Sequence, residues 1–191
     1  MKRLPMPLRE CALSSTDAMV DEQKEEVLRS QLEGIHTQAY GWALACCSWE
    51  GPLAEDVLQA SYVKVLDGKA RFGGRSTFKT WFFEVIRRTA AEQRRRQAFR
   101  RLVPMESMSH RLRSTSTGPE ESLEASEKAA RLMAALNTLP RRQREILHLV
   151  FYSDLTIKEA ALVSGISLGT ARTHYERGKC RLRELLMEDE K

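Results

Sequence analysis

The chain has 191 residues, of which 42% are hydrophobic and 30% are charged, and its net charge is +5. This length fits one large domain or two small ones, and the composition suits a packed core with a solvated surface. No apolar run approaches the roughly 20 residues of a membrane-spanning helix, so membrane insertion is not expected. Residues 1–20 lack the apolar segment of a secretory signal and are predicted to be a flexible N-terminal arm.

After the arm, helical periodicity dominates and strand signals are nearly absent, so the predicted fold class is all-α. A first helical stretch is predicted over 21–48, with a break near Gly34. A turn at 50–52 precedes a second helix over 53–66. Its apolar stripe is predicted to consist of Val57, Leu58, Tyr62, Val63 and Leu66.

The cysteines and histidines of the chain indicate no metal site. Cys46 and Cys47 are adjacent in an apolar stretch, where small thiols are commonly buried. No C-x-x-C pair occurs and the four histidines are scattered, so neither zinc, nor another cofactor, nor a disulfide framework is expected. A reduced, cytoplasmic location is favoured, and a redox role of the cysteine pair stays open.

A glycine-rich loop at 67–76 leads to a long helix predicted over 78–100, in which Ser76 or Thr77 can cap the first turn. Aromatic residues come first in this helix and arginines follow. From Arg87 to Arg101 there are seven arginines and one acidic residue. Bases stack on aromatic rings and cations follow phosphates, so this segment suits separated or distorted nucleic-acid strands. For Phe82 and Phe83, a place in the core is the favoured interpretation.

Residues 102–121 are rich in serine, threonine and proline and are predicted to be a flexible linker. Helical periodicity resumes after it, and Pro140 suits the first position of a helix. The chain is therefore predicted to consist of two small helical domains, 21–101 and 122–188, joined by the linker.

The stretch "LTIKEAALVSGISLGTARTHYERGKCRLREL" predicts a helix-turn-helix in the second domain. Thr156 and Glu159 fit a capping box, Gly165 fits the left-handed residue that ends a helix, and Ser167 can cap the next helix. Leu168, Ala171, Tyr175 and Leu182 can face inward. In DNA-binding versions of this motif, the start of the second helix enters the major groove. Here that part offers Thr170, Arg172, Thr173, His174 and Arg177, with Lys179 available to the backbone.

Three segments, in this order, resemble the bacterial RNA polymerase sigma factors of the extracytoplasmic-function (ECF) type, a group of the sigma-70 family. They are "AEDVLQASYVKVL", "FGGRSTFKTWFFEVIRRTAAEQRRR" and "LPRRQREILHLVFYSDLTIKEAALVSGISLGTARTHYERGKCRLREL". The resemblance covers about residues 25–186. It implies a sigma factor that binds core RNA polymerase, recognises −10 and −35 promoter elements and directs transcription initiation, without a catalytic site.

The resemblance also assigns residues to each interface. It implies that Asp56 and Gln59 bind the clamp coiled coil of the largest polymerase subunit. The loop over 73–77 would accept a flipped-out base of the −10 element. The residues implied along the −10 DNA are Ser76, Thr77, Lys79, Trp81, Arg87, Arg88, Arg94 and Arg95. Those implied at the −35 element are Thr170, Arg172, Thr173, His174, Arg177 and Lys179. The flap region of polymerase and an anti-sigma factor are further implied partners.

The sequence leaves two alternatives to the sigma-factor function, a stand-alone DNA-binding regulator and an enzyme. A stand-alone helix-turn-helix regulator that binds duplex DNA would need neither the "AEDVLQ" segment nor the Trp81 segment. An enzyme is disfavoured, because the sequence has no Ser/His/Asp arrangement, metal-ligand cluster or phosphate-binding glycine loop.

Overall fold

The computed structural model describes residues 15–102 and 123–188, which form eight α-helices and no strand. The helices are α1 (Ser15–Gly34), α2 (His36–Cys46), α3 (Gly51–Leu66), α4 (Phe78–Leu102), α5 (Leu123–Thr138), α6 (Arg141–Phe151), α7 (Ile157–Ser164) and α8 (Leu168–Glu188). The predicted all-α class is confirmed. None of these helices is long and apolar enough to cross a membrane.

The chain divides into two compact units, residues 1–34 and residues 35–191. The predicted break near Gly34 is confirmed, because α1 ends there and α2 begins at His36. In the first unit, α1 begins at Ser15, earlier than the predicted position 21. The rest of the predicted arm and most of the predicted linker lie outside the described residues. Helices α2 to α8 all belong to the second unit, and the proposed domain bounds stay a prediction.

Helices α2, α3 and α4 pack around large apolar side chains. Trp42, Phe82, Phe83 and Ile86 have no exposed surface. The indole N–H of Trp42 donates to the backbone oxygen of Phe83 at 2.9 Å, so its buried polar atom is satisfied. Core positions for Phe82 and Phe83 are thus confirmed.

The stripe predicted for α3 is only partly buried. Val57 and Leu58 lie in the core, but Val63 is 52% exposed and Leu66 is 47% exposed. The prediction was wrong for these two residues because apolar spacing on a helix does not say how wide a face its neighbours cover. The exposed pair lies one and two turns after Gln59, on one side of α3.

Helices α6, α7 and α8 pack around Ile146, Leu149, Val163 and Ala171, none of which has exposed surface. Leu168 was expected to face inward, but it is the first residue of α8 and is 37% exposed. Pro140 is the residue before α6 rather than its first residue. A difference of one position, as at Pro140, is typical of helix ends.

Within the second unit, α4 also contacts α7, and α2 contacts α6. The helices before the predicted linker therefore pack directly against helices that follow it.

Candidate nucleic-acid and polymerase interfaces

Helices α7 and α8 form the predicted helix-turn-helix. The Thr156 hydroxyl accepts from the Glu159 backbone N–H at 3.2 Å, and the Glu159 carboxylate accepts from the Thr156 backbone N–H at 2.9 Å, which completes the capping box. The Thr156 hydroxyl also donates to the Glu159 carboxylate at 2.7 Å, and the two hydrogen bonds that this carboxylate accepts, from the hydroxyl and from the backbone N–H of Thr156, lower the pKa of Glu159. Gly165 ends α7 with φ 63°, a left-handed conformation that favours glycine. Ser167 caps α8 through the backbone N–H of Thr170 at 3.1 Å.

The face of α8 that is turned away from α6 and α7 carries most of the predicted −35 residues. Thr170, Arg172, Thr173 and Arg177 are exposed. In the part of the chain that the structure describes, no acidic side chain forms an ion pair with either arginine. A guanidinium with free donors suits both phosphate and base-edge contacts. The exposed hydroxyls and unpaired guanidinium groups of this stretch of α8 are therefore suited to bind an anionic ligand.

Two predicted −35 residues are less accessible to DNA, one because it is partly buried and one because it is already paired. His174 is partly buried, and its Nδ1 is buried without a hydrogen-bond partner. Lys179 forms an ion pair with Glu176 at 3.1 Å and lies 5.1 Å from the ring centre of Tyr175. Both residues still lie beside the exposed face, and a DNA contact of Lys179 would change its contacts with Glu176 and Tyr175 within α8.

The predicted −10 residues of α4 divide into two sets. Lys79, Arg87 and Arg94 donate to backbone oxygens of Ser153, Val163 and Cys46, respectively. Arg87 and Arg94 make these bonds at 2.5 and 2.7 Å. Partial burial lowers the pKa of all three cations. Each of the three cations therefore has one donor nitrogen bound to a protein carbonyl in this structure.

The second set remains accessible. Arg95 is exposed, and Arg88 is exposed but pairs with Glu84 at 2.5 Å. Trp81 is partly exposed and lies 5.4 Å from the rings of both Phe72 and Phe78, which hold it in place. The three residues share one side of α4, since they are spaced by seven residues, about two helical turns.

The N-terminus of α4 is closed by Thr77. Its hydroxyl accepts from the backbone N–H of Thr80 at 3.2 Å, so Thr77, of the two candidates, supplies the cap. The Ser76 hydroxyl donates to the backbone oxygen of Thr77 at 3.2 Å. Both side chains thus organise the loop that enters the helix.

A cleft of about 390 Å³ opens beside this accessible set. It is lined by Lys64, Lys69, Ala70, Arg71, Trp81, Glu84, Val85, Arg88, Thr89 and Glu92. Sequence reasoning had missed Lys64, Lys69 and Arg71 because they precede the aromatic segment. For Lys69 and Arg71, cations within the glycine-rich loop were the available signal. Lys64 is held by Glu92 at 2.7 Å, whereas Arg71 and Lys69 are exposed at the rim.

The predicted polymerase contacts lie on α3. Asp56 and Gln59 are both exposed, and their spacing of three residues places them on one side of the helix. Val63 and Leu66 continue this side and are the exposed apolar residues described above. The surface combines a carboxylate, an amide and two aliphatic side chains.

The cysteine pair and the described acidic residues form no metal site. Cys46 and Cys47 are buried, as predicted, and burial raises the pKa of Cys46 and raises that of Cys47 to about 11. Both are therefore protonated thiols near neutral pH. Among the described residues, no group of three or more His, Cys, Asp or Glu side chains could hold a metal ion.

Comparison with known families matches two separate parts of the chain. The family described as "Sigma-70 region 2" matches residues 36–100, and "Sigma-70, region 4" matches residues 129–182. The first range contains α2 to most of α4, and the second contains α6, α7 and most of α8.

Individual relatives agree with this result. The RNA polymerase sigma factor CarQ of Myxococcus xanthus is 31% identical over 138 residues, covering 72% of this chain and 77% of CarQ. The RNA polymerase sigma factor SigV of Bacillus subtilis is 30% identical over 137 residues, covering 71% and 78%.

Among solved structures, the sigma factor RpoE from Bartonella quintana, crystallised in complex with the anti-sigma factor NepR, is similar with a TM-score of 0.65 and 25% identity. The match covers 85% of this chain and 98% of that one. The ECF RNA polymerase sigma factor SigX of Bacillus subtilis is 30% identical over 146 residues, covering 71% of this chain and 75% of SigX. The two family segments, their order and these relatives lead to one assignment: the chain belongs to the sigma-70 family of RNA polymerase sigma factors, in its ECF group.

Proposed function

We propose that this protein binds core RNA polymerase, recognises −10 and −35 promoter elements and directs transcription initiation. The observation that carries the proposal is the presence of both sigma-70 regions in one chain, each with its own cationic helix, α4 and α8. The relatives are named as sigma factors of RNA polymerase. The protein would act in the cytoplasm, where polymerase and promoters lie, and would contribute no enzymatic step of its own.

The proposed polymerase surface is the side of α3 that contains Asp56 and Gln59. The exposed Val63 and Leu66 support this choice, because a polar rim next to exposed aliphatic residues is typical of a protein interface. The clamp coiled coil of the largest subunit is the proposed partner. For the flap region of polymerase, we propose an apolar groove between Phe151, at the end of α6, and the second half of α8. Its other lining residues are Lys179, Leu182, Arg183, Leu186 and Met187.

The proposed −10 surface is the accessible side of α4 with its adjoining cleft. Trp81 can stack on a base, while Arg88 and Arg95 follow the backbone. The cleft volume of about 390 Å³ is within the range of small-ligand pockets and admits an unstacked base. Capture of such a base would offset the stacking free energy lost on melting. Lys69 and Arg71 join the predicted residues as candidates for phosphate contacts.

The proposed −35 surface is the exposed start of α8. Arg172 and Arg177 carry free donors, Thr173 lies between them along α8, and Thr170 precedes them. This arrangement supports major-groove recognition by the second helix of the motif. An anti-sigma factor is a further proposed partner, and the similar solved sigma factor is bound to one.

The test is binding of the full chain to purified bacterial core polymerase, measured by pull-down and by fluorescence anisotropy. We expect wild type to bind and the Asp56→Ala, Gln59→Ala double variant to bind at least about tenfold more weakly, because hot spots of an interface are each worth about 1–2 kcal/mol or more. The control is the Gln97→Ala, Glu127→Ala double variant, which removes one amide and one carboxylate from exposed positions on α4 and α5.

The two outcomes separate the candidate functions. Weakened binding by the α3 variant alone supports both the sigma-factor function and the polymerase surface. If the folded wild-type chain shows no affinity for core polymerase, the proposal fails and the stand-alone DNA-binding regulator takes its place.

A further inference from the structure

An acidic side chain lies in the middle of the proposed −35 surface. Helix α8 packs through Ala171 and Gly178, which are both buried and lie about two helical turns apart. A β-carbon added at Gly178 would lie 3.1 Å from side-chain atoms of Gln143 and Leu147, so this side of α8 is in close contact with α6. The opposite side of α8 is open to solvent, and the Glu176 side chain is 64% exposed there.

Helical geometry places Glu176 among the predicted DNA contacts. Successive residues of an α-helix are rotated by about 100°, because about 3.6 residues complete one turn. Glu176 is therefore rotated by about 40° from Arg172 and by about 60° from Thr173, in opposite directions, one turn further along α8. It lies between these two residues on the exposed face, and Arg177 follows it directly. A duplex that contacts both arginines through its major groove thus also meets the carboxylate of Glu176.

The carboxylate of Glu176 lacks a strong partner in the free chain. Lys179 pairs with its Oε2 at 3.1 Å, and the two side chains are 41% and 64% exposed. An ion pair as exposed as this contributes little stability. Within the described residues, no hydrogen bond occupies its other oxygen, Oε1. Because DNA phosphates repel a carboxylate, its place on this face is favourable only when a base edge supplies a hydrogen-bond donor.

The chemistry of the major groove selects the base. Only cytosine and adenine present an amino group there, through N4 and N6, respectively. Adenine also presents its N7 acceptor beside the amino group, and guanine and thymine present acceptors alone, which a carboxylate repels. Cytosine presents a donor without an acceptor. The guanine paired with it presents O6 and N7, which suit the guanidinium of Arg172 or Arg177.

We propose that Glu176 is a specificity-determining residue, which accepts a hydrogen bond from the N4 amino group of a cytosine in the −35 element. A neighbouring arginine binds the guanine of the same base pair, and Lys179, released from Glu176, becomes available to a phosphate. Glu176 is not among the −35 residues that the resemblance to sigma factors implies. The inference rests on the proposed function, since it presumes that the start of α8 enters the major groove of the −35 element.

Sequence selection tests the proposal. The holoenzyme formed from the full chain and bacterial core polymerase selects duplexes from a library randomised over the −10 and −35 elements. We expect wild type to enrich cytosine at one −35 position, and Glu176→Ala to lose the enrichment at that position alone. Glu184→Ala is the matched control. Glu184 is 50% exposed and pairs with Arg181 at 3.1 Å, but it lies about two turns beyond the base-reading start of α8.

Affinities for two duplexes give a change of sign that loss of structure cannot imitate. One duplex is the selected sequence, and the other has T·A in place of the C·G pair. Wild type should prefer the first by at least about fivefold in fluorescence anisotropy. Glu176→Ala should weaken binding to the first duplex and strengthen binding to the second, because the O4 acceptor of thymine no longer meets a carboxylate. Glu176→Gln should shift the preference to adenine, since an amide binds both N6 and N7 of adenine.

The results separate this proposal from the proposed function. A cytosine preference that survives in Glu176→Ala, or selected sequences without cytosine in the −35 element, would overturn the role of Glu176. If the full chain does not bind core polymerase, the proposed function fails, and the same library is selected with the free chain. A stand-alone regulator would read duplex DNA through the same helix, so the comparison of Glu176→Ala with Glu184→Ala still decides. Enrichment of no sequence in either form would contradict both proposals.

Discussion

His148 shows how one residue depends on its surroundings rather than on its sequence context. In the sequence it is one of four scattered histidines without ligand spacing. In the structure, Trp42, Trp49 and Tyr152 surround the imidazole, and burial lowers its pKa to about 4. An imidazole in such a place is stable only when neutral, because its charged form would lose hydration without gaining a partner.

The stability of the chain should therefore depend on pH through His148. The pKa of His148 is about 4 in the folded chain, whereas its ordinary value of 6.5 applies to the unfolded chain. Between pH 6.5 and pH 4, the unfolded chain therefore binds more protons than the folded chain. The free energy of unfolding then falls as the pH falls from about 6.5 to 4, by up to about 1.4 kcal/mol per pH unit and about 3 kcal/mol in total. Urea denaturation of wild type and His148→Phe at several pH values measures this contribution.

The comparison isolates the histidine, because all other titrating groups are common to both chains. We expect the difference in unfolding free energy between the variant and wild type to grow in favour of His148→Phe as the pH is lowered. A constant difference between pH 7 and 4.5 would show that His148 does not titrate with a lowered pKa.

Helix α7 shows how far local sequence rules reach at the scale of an element. Thr156, Glu159, Gly165 and Ser167 occupy the capping roles predicted from their order along the chain. Caps are predictable because every bond in them joins residues two to four positions apart. Which surface α7 covers was not predictable, because Ser153 and Val163 meet α4 residues more than 70 positions away.

The capping box should stabilise the chain measurably. Thr156→Ala removes the side-chain acceptor of the Glu159 N–H and should lower the free energy of unfolding by about 1 kcal/mol, within a range of about 0.5–2 kcal/mol. Thr173→Ala is the control, since Thr173 is exposed within α8 and bonds only to the Gly169 carbonyl of its own helix. Alanine favours the helix interior, so we expect little loss at that position. Equal losses for both variants in urea denaturation would contradict a specific role of the cap.

At the scale of the whole molecule, the contacts of α4 with α7 and of α2 with α6 couple the two sigma-70 regions within residues 35–191. Coupled parts unfold together when the free energy of their contact exceeds the difference between their own stabilities. The sequence predicted two domains joined by a linker, and such domains would unfold separately if they did not touch.

Differential scanning calorimetry checks this coupling. We expect one main transition for wild type, with a calorimetric enthalpy close to the van't Hoff enthalpy. Tyr152→Ala should broaden or divide that transition, because it removes the ring that lies against Gly41 of α2. Phe151→Ala should leave its shape unchanged, because the Phe151 ring stacks on Tyr175 of α8 instead. Two resolved main transitions in wild type would show that the two regions fold independently.

The sequence by itself determined the all-α class, the helix-turn-helix with its caps, the two cationic segments and the family. These depend on periodicity, on capping residues and on motif order, all of which are local along the chain. Only the tertiary structure decided that Val63 and Leu66 are exposed and that Lys64 and Arg71 line a cleft with Trp81. It also decided that Lys79 binds the Ser153 carbonyl before α7 and that Arg87 binds the Val163 carbonyl in the last turn of α7. Exposure and contact depend on which surfaces meet across long sequence separations, and such pairings leave no periodic trace in a single sequence.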